Sequence, residues 1–250
     1  MFMPLEMEFG WTRTLTSDAL SVNLVVYGLT APFAATLMER FSPKRVAVAA
    51  LALVALGTGL TVFMTAPWQL MLYWGVFVGL GTGCLALVFG SLVANRWFVA
   101  RRGLVTGIFS AAYATGQLLF LPLIAHLVME SGWQIGSLVV TLLVAALIPI
   151  FFFLFKEKPA DVGLLPYGAT EPRVEEQAPR TVKATITTLT EAFRSKAFWV
   201  LAGTFFVCGW TTNGLIGAHF IPAAHDHGMP ATTAASLLAI VGIFDFIGTI

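Results

Sequence analysis

Asp245 is the one carboxylate well inside an apolar run, Ile243-Phe-Asp-Phe-Ile-Gly-Thr-Ile250. An ionised carboxylate in that setting is costly unless it faces a cavity or a partner, so it reads as a group able to take up and release a proton. The competing reading is an Asp near the end of a broken helix, reachable by water. Uncharged polar groups recur at helical spacing in other apolar runs. Asn23, Tyr27 and Thr30 stand at i, i+4 and i+7, one face of a helix. Thr106, Ser110, Tyr113 and Gln117 make a second stripe; Thr204, Cys208 and Thr211 make a third, with Asn213 beside it. Such groups hydrogen-bond either between packed helices or to a polar solute.

Other chemistries lack their residues. There is no Gly-x-Ser-x-Gly elbow, no His-Glu-x-x-His and no pair of carboxylates inside apolar runs, which argues against an enzyme. No metal-ligand spacing of Cys and His occurs, and no cofactor is implied. His225, Asp226 and His227 read as a solvated loop, and Cys84 and Cys208 as small buried side chains. No basic stripe is interleaved with aromatics, so nucleic acid is not a partner.

The elements that must position these groups are membrane spans. Hydrophobic residues make up 58% of the 250 and charged residues 11%, far from the balance of a soluble domain. The partner of most of this surface is a lipid bilayer. A crossing helix needs about twenty apolar residues. Seven stretches qualify: Ser17–Met38, Val46–Met64, Leu70–Ala94, Gly103–Val128, Ile135–Phe155, Ala197–Pro222 and Thr232–Ile250.

All of the 14 Lys and Arg residues except Arg13 fall in three clusters between these runs: Arg40/Lys44/Arg45, Arg96/Arg101/Arg102, and Lys156 to Lys196. The alternate connections are nearly uncharged. Basic residues are retained on the cytoplasmic side, so the clusters place residues 1–16 outside a cell membrane and the 156–196 linker inside. Five spans (17–155) precede the linker and two (197–250) follow it. Pro159, Pro166, Pro172 and Pro179 break any helix early in the linker. Thr181 to Arg194 is then expected to form a helix, either on the membrane surface or packed under the bundle. Gly75, Gly79 and Gly83 stand four apart, a spacing that lets helix backbones approach closely.

The connection between the first two runs reads Ala35-Thr-Leu-Met-Glu39-Arg40-Phe-Ser42-Pro-Lys44-Arg45. It resembles the loop signature of the major facilitator superfamily, Gly-x-Leu-Ala-Asp-Arg-x-Gly-x-Arg-Arg. Glu39 stands for its Asp, Ala35 and Ser42 replace its glycines, and Arg40, Lys44 and Arg45 keep its charges. Ala94-Asn-Arg96-Trp-Phe98 with Arg101-Arg102-Gly103, Phe9-Gly-Trp-Thr-Arg13, and Lys158-Pro-Ala-Asp-Val-Gly-Leu-Leu-Pro-Tyr-Gly168 are similar to segments of the monocarboxylate-transporter-like branch. Two features of the drug-exporter branch are missing: Gly75 stands where it has an Arg, and Ala112 where its antiporter signature has Pro.

The resemblance implies an all-α integral membrane protein: a polytopic bundle with about seven spans, equivalent to helices two to eight of twelve. A chain of that extent is expected to be an incomplete and inactive piece of a transporter. The implied activity is alternating-access transport of a small organic solute, a monocarboxylate or other organic anion, with a coupling proton as a further partner. A solute-sensing receptor on the same scaffold is the alternative. The midplane cavity that the resemblance implies makes Asn23, Tyr27, Tyr113, Gln117 and Asn213 candidate solute contacts, and Asp245, by its place in an apolar run, is the candidate coupling site. The resemblance makes Glu39, Arg40, Lys44, Arg45 and Arg96 a conformational latch.

Overall fold

A computed structural model of the chain describes residues 2–85, 87–169, 171 and 182–249. Pro172, Arg173, Pro179, Arg180 and Thr181 of the linker lie outside the described residues. Helix α1 (Phe2–Phe9) precedes α2 (Arg13–Phe41) and α3 (Pro43–Thr61). The third apolar run is assembled from α4 (Pro67–Leu70), a π-helical segment (Met71–Val78), α5 (Gly79–Leu85) and α6 (Leu87–Trp97). Next come α7 (Arg102–Ser131), α8 (Trp133–Leu154) and a 3₁₀ turn (Pro159–Val162). The chain continues through α9 (Val182–Phe193), α10 (Lys196–Gly209), a second π segment (Trp210–Ala218), α11 (His219–Asp226) and α12 (Ala231–Thr249).

All seven expected runs are therefore helical among the described residues. Among the described residues, five helical stretches are long and apolar enough to span a bilayer: Arg13–Phe41, Pro43–Thr61, Pro67–Trp97, Trp133–Leu154 and Lys196–Gly217. Within α7 and α12 the apolar stretches are shorter, Leu119–Ser131 and Thr232–Val241. Large apolar side chains such as Leu29, Phe153 and Phe205 lie exposed along these helices. In a spanning bundle that surface meets lipid. Cys208 is exposed on α10 rather than buried, and Cys84 is half-buried; both are free thiols. The His225–His227 tract is only partly a loop, because α11 runs on to Asp226.

Residues at the turns explain the boundaries. Pro43 and Pro67 occupy first turns, where their missing N–H is no loss. Gln69 reaches back to accept from the Thr65 and Ala66 backbone N–H groups at 2.6 and 2.9 Å. Gly132 separates α7 from α8 at φ +89°, a left-handed conformation that favours glycine. Pro32, Pro122, Pro149 and Pro222 sit inside helices, which neighbouring helices make tolerable in a membrane.

The chain divides into two compact units, Met1–Ser110 with Leu127–Arg180, and Ala111–His126 with Thr181–Ile250. The first is held by two devices. The glycine stripe is one of them. A methyl group placed on Gly75 would lie 3.0 Å from Val22, one on Gly79 3.0 Å from the Asn23 carbonyl, and one on Gly83 2.9 Å from the Tyr27 carbonyl. The steps of four on one helix match steps of four on α2, so the two run parallel with backbones nearly touching. On another face, a methyl on Gly81 would meet the Ala50 carbonyl of α3 at 2.6 Å.

The second device is a ladder of hydroxyls between α3 and α8. Thr61 and Ser137 oxygens are 2.9 Å apart, Ser137 donates to the Thr58 carbonyl at 3.1 Å, and Thr141 donates to the Thr58 hydroxyl at 2.9 Å. Thr58, Thr61 and Ser137 are buried. Thr58 in turn donates to the Val54 carbonyl at 2.9 Å. Each hydroxyl has a partner, so polarity inside the bundle joins helices without leaving unmet groups.

In the second unit, α9 leads into α10 through Arg194 and Ser195 alone. Trp199 Nε1 donates to the Phe193 carbonyl at 2.9 Å and closes that turn.

Candidate functional site

The first polar stripe lies on the face of α2 that packs against the third run. Asn23 Nδ2 donates to the Trp74 carbonyl at 2.8 Å. Trp74 belongs to the π segment, whose i→i+5 pattern departs from the regular ladder. An amide donor at this point is what such a departure calls for. Thr30 Oγ1 donates to the Val26 carbonyl at 2.7 Å within its own helix. Asn23, Tyr27 and Thr30 are all half-buried. Asn23 and Thr30 are thus engaged with the protein's own backbone.

The other stripes are similar where they can be read. Thr106 donates to the Arg102 carbonyl at 2.9 Å, Thr204 to Leu201 at 2.8 Å and Thr211 to Val207 at 2.9 Å. Tyr113 and Gln117 are carried by α7, Asn213 by the second π segment and Asp245 by α12. The side chains of these four lie outside the described residues.

The residues expected to form a latch lie at the basic end of the first unit. Glu39 and Arg40 are in the last turn of α2, and Arg96 is in the last turn of α6. Ser42 turns the chain at φ +85°, ψ +138°, a conformation suited to glycine and costly for serine. This is the position where the loop signature has Gly. The serine hydroxyl offsets the strain twice: it accepts from Arg45 N–H at 3.3 Å and donates to Glu157 Oε1 at 2.6 Å. Lys44 Nζ lies 4.8 Å from the centre of the Phe152 ring, and the Arg40 guanidinium 5.3 Å from that of Phe41.

The segment leaving α8 then crosses to a second loop. Tyr167 N–H donates to the Trp97 carbonyl at 2.8 Å, and the Tyr167 carbonyl accepts from Val99 and Ala100 at 2.9 and 3.1 Å. Gly168, at φ +84°, lies where a side chain would press on Ala100 at 2.6 Å. Arg102 Nε donates to the Phe98 carbonyl at 2.6 Å. The strap 155–168 therefore ties the α2–α3 turn and the α6–α7 loop together. Sequence reasoning singled out the charges and the Ser-for-Gly exchange at Ser42, and missed Phe152, Glu157 and Tyr167 as partners.

At the opposite end of this unit, Glu8 accepts from Trp133 Nε1 at 2.5 Å and from Gln134 Nε2 at 2.9 Å. Arg13 pairs with Glu6 at 3.2 Å. Leu5, Met64, Leu70 and Trp133 form a buried cluster beneath Phe9 and Trp11, whose rings stack at 4.6 Å. The weakly charged connections thus share one end of the first unit and the basic ones the other.

Helices of this length and apolarity, close-packed through glycines and joined at one end by basic loops, define an all-α, multi-pass membrane protein. The sequence model of the Major Facilitator Superfamily matches residues 1–250, and the chain belongs to that family. It is 24% identical to the uncharacterised MFS-type transporter YcxA of Bacillus subtilis over 94% of this chain and 56% of the relative. Monocarboxylate transporter 4 of Mus musculus is 27% identical over 98% of this chain and 50% of its own length. The oxalate:formate antiporter of Oxalobacter formigenes is 25% identical over 97% and 54%. The chain spans about half the length of these relatives. These relatives are named as transporters.

Proposed function

We propose that the protein acts in secondary transport of a small organic solute, a monocarboxylate or another organic anion, across the cell membrane by alternating access. The observation that carries this reading is similarity along nearly the whole chain to proteins named for monocarboxylate and oxalate:formate transport. The first unit supports it as a closely packed block, braced by glycine contacts, a hydroxyl ladder and a strap. Rigid blocks that rock about a midplane site are what alternating access requires.

In this reading the loops carrying Glu39, Arg40, Lys44, Arg45 and Arg96 face the cytoplasm, following the charge distribution. Tyr27, Tyr113, Gln117 and Asn213 line the solute path, and Asp245 exchanges a coupling proton. Asn23 borders the path as the residue that holds Trp74. No Lys or Arg lies in the interior of any apolar run, so an anion bound at the midplane meets uncharged donors from these helices.

The test is uptake by the full-length gene product in proteoliposomes, with labelled lactate, formate and oxalate, with and without a proton gradient. Saturable flux that Asp245→Asn uncouples from the gradient is expected. Absence of flux across a broad organic-anion panel overturns the reading.

A further inference from the structure

We propose that α9 is an interfacial anchor, lying along the headgroup layer of the cytoplasmic leaflet and binding anionic lipid. The proposal rests on the orientation given above. Val182, Ile186, Leu189 and Phe193 recur at i, i+4, i+7 and i+11, which stacks them on one face. Val182, Ile186 and Phe193 are 43%, 49% and 50% exposed. The far side carries Thr187, Thr188 and Glu191. Lys183 flanks the apolar stripe, and Arg194 and Lys196 follow its last turn.

An apolar stripe bordered by hydroxyls and cations is the pattern of a helix that lies in the membrane interface. Its depth follows from its neighbour. Lys196 begins a spanning stretch, and the two residues between the helices reach only about 7 Å when extended. A helix on so short a tether stays at headgroup level. The junction is aromatic as well: the Phe193 ring lies 4.9 Å from that of Phe198 and 5.8 Å from that of Trp199. Aromatic side chains gather at this boundary of the bilayer. Three cations, Lys183, Arg194 and Lys196, against the single carboxylate Glu191 favour lipid phosphates over a protein surface of mixed charge.

The experiment uses the full chain with Cys84 and Cys208 replaced by Ser, in vesicles of phosphatidylcholine with or without phosphatidylglycerol. A single Ile186→Cys or Thr188→Cys change carries an environment-sensitive fluorophore. With phosphatidylglycerol, the probe at 186 is expected to shift to the blue and be quenched by headgroup-labelled spin lipid. The probe at 188 is expected to be quenched by aqueous iodide. Replacing Lys183 and Arg194 by Gln is expected to weaken insertion about fivefold per residue, the factor for one basic side chain at an anionic surface. Equal iodide quenching at 186 and 188 overturns the proposal. So does a probe at 186 shielded from both quenchers, because protein then covers the stripe. Equal insertion in phosphatidylcholine alone overturns the anionic preference. Ser195→Cys that reacts with an impermeant reagent only from the cell exterior overturns the orientation instead, and leaves the two probe results to be judged separately.

Discussion

Ser42 and Glu157, 115 positions apart, share a 2.6 Å hydrogen bond that joins the α2–α3 turn to the segment leaving α8. The same serine holds φ at +85°, where a side chain adds about 1–3 kcal/mol of strain. Two opposing terms therefore meet at one residue. A glycine removes the strain and the bond together; an alanine removes only the bond.

The order of stability that follows is specific. Ser42→Ala is expected to be the least stable of the three, about 1–3 kcal/mol below Ser42→Gly, since both lose the hydroxyl's bonds but only alanine keeps the strain. Thermal unfolding of the purified chain in detergent, followed by tryptophan emission, measures this. An alanine variant as stable as the glycine variant would show that φ at this turn relaxes freely.

Gly81 and Gly203 make a matched pair. A methyl on Gly81 would lie 2.6 Å from both the Ala50 carbonyl and Val54 Cγ2, whereas nothing stands within 4 Å of one on Gly203. Gly81→Ala is expected to cost about 1–3 kcal/mol through forced separation of α5 and α3. Gly203→Ala is expected to be neutral or slightly stabilising, because Ala favours helix over Gly by up to about 1 kcal/mol. Yield of monodisperse protein and melting temperature in one detergent report both. Equal loss in the two variants would remove the close-approach explanation.

The hydroxyl ladder predicts coupling rather than large single effects. Interhelical hydrogen bonds in bilayers average about 0.6 kcal/mol, so Ser137→Ala and Thr141→Val should each cost about that much. Ser137 donates to the Thr58 carbonyl and Thr141 to the Thr58 hydroxyl, so a variant lacking both should differ from the sum of the singles. A double-mutant cycle on denaturation in mixed micelles measures the difference. Strict additivity would mean that the two contacts are independent.

What could be read ahead of the structure followed from strong signals. Spans stand out because hydrocarbon tolerates few charges, and the glycine stripe because its period is that of helix contact. The Glu39-to-Arg45 loop was legible as a charged turn, and the strained Ser42 at its centre through the glycine it replaces. The rest lacked a periodic signature. Helix α1 is eight residues long, too short for a pattern, and is held by Glu8 on Trp133 and Gln134 from more than 120 positions away. Thr58, Thr61, Ser137 and Thr141 are indistinguishable in sequence from hydroxyls that bond to their own helix, as Thr106 and Thr211 do. The π segments depend on how each helix meets its neighbours, so no local spacing announces them.

Asn23 decides between two uses of one side chain. It stands in a stripe expected to meet solute, yet its amide donates to the Trp74 carbonyl across the α2 interface. If positioning is its role, Asn23→Leu leaves that carbonyl without this donor, at a cost of about 1–3 kcal/mol. The register of Gly75 and Gly79 against Val22 and Val26 should loosen with it. Melting temperature then falls, and apparent solute affinity in the transporting protein changes little among folded variants. Asn23→Gln, with one more methylene, should restore little, because the longer side chain carries the amide out of its 2.8 Å contact with the Trp74 carbonyl. A solute contact would give the reverse: unchanged melting and a raised KM. Measuring both quantities on the same three proteins separates the roles.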